Sequence, residues 1–456
     1  MGSLPETREV ALRAAIIHAH DKYVYKNPKS LKYHEEACKY MPGGNTRTVL
    51  HTNPFPLTID HGKECFLTTV DGHTYVDFLG EYTAGIYGHN HPVIKQAVES
   101  ALQGGWNYGG HNKLEPELAK IVCERFPAME LVRFVNSGTE ANMMALATAL
   151  AFTGKKKILI FYKGYHGSTI SGRTPSDKTS INLPHDFVVG TYNDVQGTES
   201  LVNSLPKDSL AAILLEPMLG SGGCYAASSE FLSTLRRLAT DNGALLIFDE
   251  VMTSRLHYHG LGSQTGITPD LMTLGKWVGG GMSFGAFGGR REIMKLYDPR
   301  DGTLQHPGTY NNNCFTMSAG VAGCRLLDPE TINGLNALGD RMRTEVESVL
   351  SKRGISQGTT IPSSPVTDEM HTTPNHPQRP PKMFIKGVGS LMAIQFAGPE
   401  AGTLQDLFYH HMLQQGIYMA ARGFVALNIM LTEEHVAMFV RAVETFCEMW
   451  DAELKW

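Results

Sequence analysis

Apolar runs alternate with helically spaced segments from about residue 115 to 325, which predicts a mostly parallel sheet covered by helices on both faces. Its strands read as Leu131 to Val135, Lys156 to Phe161, Ala211 to Leu215, Leu245 to Val251 and Asp270 to Leu274. The alanine-rich stretch from Glu140 to Phe152, ending near Gly154, reads as a helix. Ahead of this region an arm leads into a helix capped by Asn27, with Pro28 in its first turn and Gly43-Gly44 as its stop. Residues 65 to 79 read as a hairpin turning at Asp71-Gly72, and Gly88 to Pro92 leads into another helix. Past about residue 326 the pattern becomes α+β: Phe384 to Phe396 returns to strands, and Thr432 caps a last amphipathic helix running to about Trp450. Residues 356 to 382, dense in proline, read as an irregular surface loop. The expected division is 1–80 for the arm and part of a small domain, 81–326 for a large domain, and 327–456 for the rest of the small domain.

Composition narrows the class. With 40 Lys+Arg against 45 Asp+Glu and no basic block, nucleic acid is not an expected partner. The seven cysteines stand singly, which excludes a zinc knuckle and suits a reducing, cytoplasmic setting. No run is apolar for long enough to span a bilayer, and Met1 to Glu9 lacks the apolar core of a signal peptide, so a membrane is not an expected partner either.

The chemistry gathers at strand ends. Leu271 to Lys276 is an apolar run ending in a lysine, which is costly to desolvate, and Gly279-Gly-Gly281 beyond it would let another molecule approach the backbone. Asn136-Ser137-Gly138-Thr139, between a strand and a helix, points free N–H groups and two hydroxyls at one spot, which suits a phosphate. Tyr165 and His166, held between glycines, can form a flat platform for a ring. Glu216 and Asp249 each follow an apolar strand, where open parallel sheets bind ligands. His306, His371 and His376 lack metal-ligand spacing, and no metal is expected. Phosphate cradle, ring platform, strand-end aspartate and lysine together describe pyridoxal phosphate, with Lys276 forming the Schiff base and Asp249 keeping the pyridine nitrogen protonated.

Asn136 to Asn142, Gly164-Tyr-His-Gly167, Glu216-Pro217, Asp249-Glu-Val-Met252 and Leu274-Gly-Lys276 resemble the class III aminotransferases of fold type I, from about residue 30 to the end. The likeness is closest to glutamate-1-semialdehyde aminomutases and the β-amino acid (β-phenylalanine) aminotransferases beside them. It implies an α/β large domain with a mostly parallel sheet between helices, and a small α+β domain built from both chain ends. By the same resemblance Ser137, Gly138 and Thr139 hold the phosphate, Tyr165 and Val251 cover the two ring faces, and Glu216 supports the ring's polar edge. Asp249 pairs with the ring nitrogen, and Lys276 is both Schiff base and proton shuttle. Gly308-Thr309 resembles the segment that crosses a homodimer to the neighbour's phosphate.

Two arginines decide the expected reaction. Arg47 matches the position that holds the substrate carboxylate in the resembling subgroup. Arg422 lies in Tyr418 to Val425, where the aminomutases carry small residues and a later glutamate; here Val425 stands at that glutamate's place. An arginine there offers a fork for a carboxylate. The expected activity is a ping-pong transfer from an amino acid, favoured as a β-amino acid with an apolar or aromatic side chain, to a 2-keto acid. The alternatives are an aminomutase, racemase or decarboxylase on the same cofactor, or a silent binding member of the fold.

Overall fold

The computed structural model describes residues 4–172, 181–356, 361–365 and 379–456. The chain opens with α1 (Leu4–Lys26) and α2 (Pro28–Cys38). The segment expected as an arm is thus largely helical, as its strong helix formers and its lack of Gly or Pro between Glu6 and Lys26 allow. Asn27 turns its amide back to Tyr23 O (2.8 Å) and does not cap α2 with its side chain. Asp71, at the hairpin turn, takes that role: its carboxylate accepts from Lys29 N (2.7 Å) and Ser30 N (3.0 Å), a favourable place for an anion.

β1 (Ile59–Lys63), β2 (Phe66–Thr69) and β3 (Thr74–Asp77) follow, with β2 and β3 forming the expected hairpin. Next come α3 (Pro92–Gln103) and α4 (Leu114–Arg125). The large sheet is made from β4 (Leu131–Val135), β5 (Lys157–Phe161), β6 (Asp186–Gly190), β7 (Leu210–Leu215) and three later strands. Between β7 and those strands, β8 (Met218–Leu219) and β9 (Tyr225–Ala226) form a separate small hairpin. The three sheet strands are β10 (Leu245–Asp249), β11 (Leu271–Gly275) and β12 (Gly285–Gly289). Their order is β4-β12-β11-β10-β7-β5-β6, parallel except for β12, which runs against both neighbours. β7, β10 and β11 are buried along their whole length, which is why they read as unbroken apolar runs. β12 gives no such signal, because Gly-Ala-Phe-Gly-Gly carries almost no strand propensity and is held by pairing on both sides.

The α5 helix (Gly138–Thr153) packs on this sheet and ends at Gly154 in the left-handed conformation. The glycines after Lys276 serve the fold's own packing. A Cβ at Gly280 would lie 2.5 Å from the Ala319 carbonyl carbon, so this run admits the helix Cys314–Leu326 where the sequence suggested an approaching ligand.

The smaller lobe draws on both ends of the chain. β13 (Met383–Val388) and β14 (Leu391–Phe396) pair as a hairpin; β15 (Ile417–Tyr418) runs parallel to β3, and β16 (Phe424–Ala426) pairs with β14. On α1, His20 Nε2 meets Asp406 Oδ2 at 3.1 Å, tying the first helix to the helix Ala401–Gln414. Thr432 caps the last helix, Glu433–Met449, in a capping box. His371 and His376, and most of the proline-rich stretch, lie outside the described residues. No helix among the described residues is long and apolar enough to cross a membrane.

Candidate active site

Sheet order brings the expected residues to one edge. Glu216, Asp249 and Lys276 lie at the C-terminal ends of β7, β10 and β11, which are neighbours. Beyond β7 comes β5, whose exit leads to Tyr165 and His166. On the other side β12 separates β11 from β4, whose exit leads to Ser137. Strands give these side chains a rigid base, and their ends leave the backbone free to turn toward a ligand.

Asp249 is 3% exposed and fully bonded. Its Oδ2 accepts from Asn142 Nδ2 (2.7 Å) and faces His166 Nδ1 at 2.8 Å; its Oδ1 accepts from Val251 N (3.0 Å). Asn142 also donates to His166 O (3.1 Å) and accepts from Thr273 Oγ1 (2.8 Å). An ionised carboxylate in such a place is tolerated because donors meet it. His166 is therefore buried behind Asp249, and only Tyr165, 46% exposed, is free to act as a platform. Asn142 was the residue whose position in the sequence gave no role, although a lone amide on the buried face of an alanine-rich helix marks a hydrogen-bond junction.

Glu216 accepts from Tyr165 N (3.0 Å) through Oε1 and from Gly220 N (2.9 Å) through Oε2. Burial pushes its carboxyl up to about 7, with the Asp249 charge adding to the effect and His166 and the two N–H groups opposing it.

At α5 the Ser137 hydroxyl caps the helix, accepting from Glu140 N at 3.1 Å. The first N–H groups of the helix remain available beside it. Gly138 is required by its neighbour: a Cβ there would stand 2.7 Å from Val251 Cγ1. Val251 thus lies directly against the cradle. Gly167 likewise packs on the Thr139 side chain, which brings the segment carrying Tyr165 up to the same helix end.

Lys276 begins a short turn with φ 57, a left-handed backbone that costs a non-glycine residue about 1–2 kcal/mol. The buried Trp277 beside it holds the turn, donating Nε1–H to Ser254 Oγ (2.9 Å) and accepting from Tyr87 Oη (2.9 Å) through its carbonyl. Strain of this kind at a lysine points to a functional position. Lys276 Nζ donates to Tyr82 O at 2.6 Å. Burial pushes its amine down to about 8; Arg422 adds to this, while Asp249, Glu216 and Glu81 pull the other way.

Tyr82 is the organising residue that sequence periodicity could not reveal. Gly80, Glu81, Tyr82 and Thr83 are all left-handed, with φ of 53, 46, 50 and 81. The Tyr82 ring stacks near Phe424 with centroids 6.1 Å apart, and the guanidinium carbons of Arg47 and Arg422 stand 5.7 and 5.5 Å from its centroid. Both expected arginines therefore share one aromatic ring whose carbonyl holds Lys276. Arg47 pairs with Glu81, whereas Arg422 donates to Ser221 Oγ (2.7 Å). Thr309 is not part of this group: it is exposed and lines a surface cavity with Tyr108, His111 and Tyr310.

These residues fit pyridoxal phosphate on their own chemistry. A buried carboxylate stands at the end of β10, a lysine with a depressed proton affinity at the end of the neighbouring β11, and a helix N-terminus follows β4 on the same side of the sheet.

The comparisons with known proteins agree. The family model for class III aminotransferases matches residues 48–358. The β-phenylalanine transaminase of Variovorax paradoxus is 44% identical over 448 residues, covering 96% of each chain. A crystal structure of a β-phenylalanine aminotransferase from Variovorax paradoxus, 42% identical, superposes with a TM-score of 0.88, covering 97% of this chain and 99% of that one. A glutamate-1-semialdehyde 2,1-aminomutase of Methanosarcina acetivorans is 34% identical over 87% of this chain and 92% of its own. A transaminase solved with pyridoxal phosphate bound is 30% identical with a TM-score of 0.82, over 94% and 99% of the two chains. With two thirds of its length under the family model and a relative alike from end to end, the chain belongs to the class III aminotransferases, pyridoxal-phosphate enzymes of fold type I.

Proposed function

We propose that the protein moves the amino group of a β-amino acid with an apolar or aromatic side chain to a 2-keto acid in two half-reactions. The observation that carries this reading is the pair of arginines on one tyrosine ring, beside the carbonyl that holds Lys276. Two cations give a donor carboxylate and an acceptor carboxylate separate docking points. The 44% likeness to a β-phenylalanine transaminase supports the donor class. That Arg422 has no carboxylate partner among the described residues supports transamination over the aminomutase alternative, since its fork is open to a ligand.

When bound, the cofactor supplies a pyridine ring that accepts the electron pair left by a departing proton. Ser137, Gly138, Thr139 and the first N–H groups of α5 would hold its phosphate. Tyr165 and Val251 would cover the ring faces, Glu216 would meet its polar edge, and Asp249, fixed by His166 and Asn142, would hold positive charge at its nitrogen. Arg47 orients the donor by its carboxylate. Lys276, whose amine is pushed down to about 8 by burial, would be the base that takes the proton from the amine-bearing carbon and holds it on Nζ. Arg422 receives the carboxylate of the keto acid in the second half-reaction.

The exposed Thr309 supports a homodimer in which each chain completes the other's phosphate site. Seven unpaired thiols support a cytoplasmic setting.

A donor panel with 2-oxoglutarate tests the reading: 3-amino-3-phenylpropanoate, phenylalanine, alanine and 1-phenylethylamine, followed by glutamate formation. The β-amino acid is expected to give the highest kcat/KM. Equal rates with 1-phenylethylamine would show that no arginine selects the donor.

A further inference from the structure

The rim of the site carries a carboxylate of its own. Glu81 is paired with Arg47, and both side chains are near half exposed, at 54% and 43%. Arg422, over the same ring and that of Phe424, donates a hydrogen bond to the Ser221 hydroxyl and meets no carboxylate among the described residues. The two cations therefore differ in kind: one is already neutralised by the chain, the other is open. Glu81 also precedes Tyr82 in the left-handed run, so one segment supplies the counter-ion of Arg47, the ring under both guanidinium groups and the carbonyl that binds Lys276 Nζ.

Resting on the reading of Arg47 as the donor's docking point, we propose that Glu81 is a resident counter-carboxylate which the donor's carboxylate displaces from Arg47, making Glu81 a positioning residue for donor selection. An exposed ion pair is weak and exchanges readily for another carboxylate of better geometry. A ligand that brings a carboxylate replaces one anion by another at the same guanidinium. A ligand without one has nothing to offer Arg47, so the Glu81 side chain stays in place. The exchange also leaves Glu81 as an unpaired anion in the segment that holds Lys276, where its charge favours a proton on that amine. Donor docking and the readiness of the lysine to accept a proton are then linked through one side chain.

The test is calorimetric binding of two non-reacting ligands to holoenzyme: 3-phenylpropanoate, and 3-phenylpropanamide as its uncharged counterpart. In Glu81→Gln the acid is expected to bind about 3- to 5-fold tighter, the range an exposed pair supports, with the amide unchanged. Arg47→Gln should weaken the acid about 10-fold or more, and the double variant should show no gain from Glu81→Gln. If Glu81→Gln does not fold, Glu81→Asp serves instead, because its shorter arm loosens the pair and should give a smaller tightening for the acid alone. Equal acid binding by wild type and a folded Glu81 variant, with Arg47→Gln still weakened, would overturn the gate while leaving the proposed function intact. Acid binding untouched by Arg47→Gln would overturn both. Tightening of acid and amide alike would show a steric effect and overturn the gate.

Discussion

The floor and the rim of this site are built by opposite rules. The floor, made of Asp249, His166, Asn142 and Thr273, is at most 3% exposed and, His166 apart, anchored on strands and a helix, with Asn142 using both ends of its amide. The rim, made of Arg47, Glu81, Tyr82 and Arg422, lies on loops and strand exits, exposes its three charged side chains, and holds them loosely over one partly buried ring. Buried charge demands satisfied partners, so the floor is rigid and specifies one chemistry. Exposed cations on loops exchange partners at low cost, which is what the proposed use of the rim by two substrates in turn requires.

Lys276 joins the two regions, and its loss should erase the distinction. Lys276→Ala is expected to lower turnover of 3-amino-3-phenylpropanoate by about 10³-fold or more at unchanged melting temperature, measured as initial rate with 2-oxoglutarate. A rate within tenfold of wild type would remove Lys276 from the proton transfer.

The rim should then divide by substrate. Arg47→Gln is expected to raise the donor KM by about 10- to 100-fold and to spare 1-phenylethylamine, whereas Arg422→Gln should raise the keto acid KM by a similar factor. Steady-state kinetics with each substrate varied separately checks this. Both variants acting on the same substrate would show that the two arginines form one subsite.

The floor should divide by stability. Asn142→Leu leaves Asp249 short of a donor and the Thr273 hydroxyl without its acceptor, for a loss of about 1–3 kcal/mol in urea unfolding. A change below 0.5 kcal/mol, roughly the scatter of surface substitutions, would show that the network is not tight.

Beside the floor, Glu250 is fully buried and accepts from Thr253 Oγ1 (2.5 Å), Gly262 N (2.6 Å) and Leu261 N (3.1 Å); burial pushes its carboxyl up from 4.5 to about 7. A carboxyl that keeps its proton longer in the folded state binds more protons there between those values, so stability falls as pH rises from about 5 to 7. Glu216 adds a slope of the same sign. Unfolding midpoints of holoenzyme at pH 5.5 and 7.5 should therefore differ, and Glu250→Gln should narrow the gap. An unchanged gap in that variant would place the proton elsewhere.

The same contrast governs what the sequence could tell. Lys276, Asp249 and Glu216 were legible because each ends an apolar strand, and the Ser137 cradle because a strand breaks there into a helix. His166 was seen but set in the wrong plane, since a loop histidine does not show which neighbour will bury it. Asp71, and not Asn27, caps α2 because the capping group arrives from a hairpin 41 residues away. β12 stayed hidden because three of its five residues are glycine. Glu81 and Tyr82 have no periodicity at all. Their importance comes from a left-handed run that contacts from three separate segments, around Arg47 and Val49, at Lys276 and at Phe424, hold in place.

The most direct test of the whole account is a single turnover without acceptor: holoenzyme mixed with excess 3-amino-3-phenylpropanoate, followed by cofactor absorbance and by product. The absorbance is expected to change from that of the aldehyde form of the cofactor to that of the amine form, with one equivalent of 3-oxo-3-phenylpropanoate released per site. Consumption, racemisation or decarboxylation of the amino acid with the cofactor left in its aldehyde form would contradict transamination and reduce Arg422 to a structural residue.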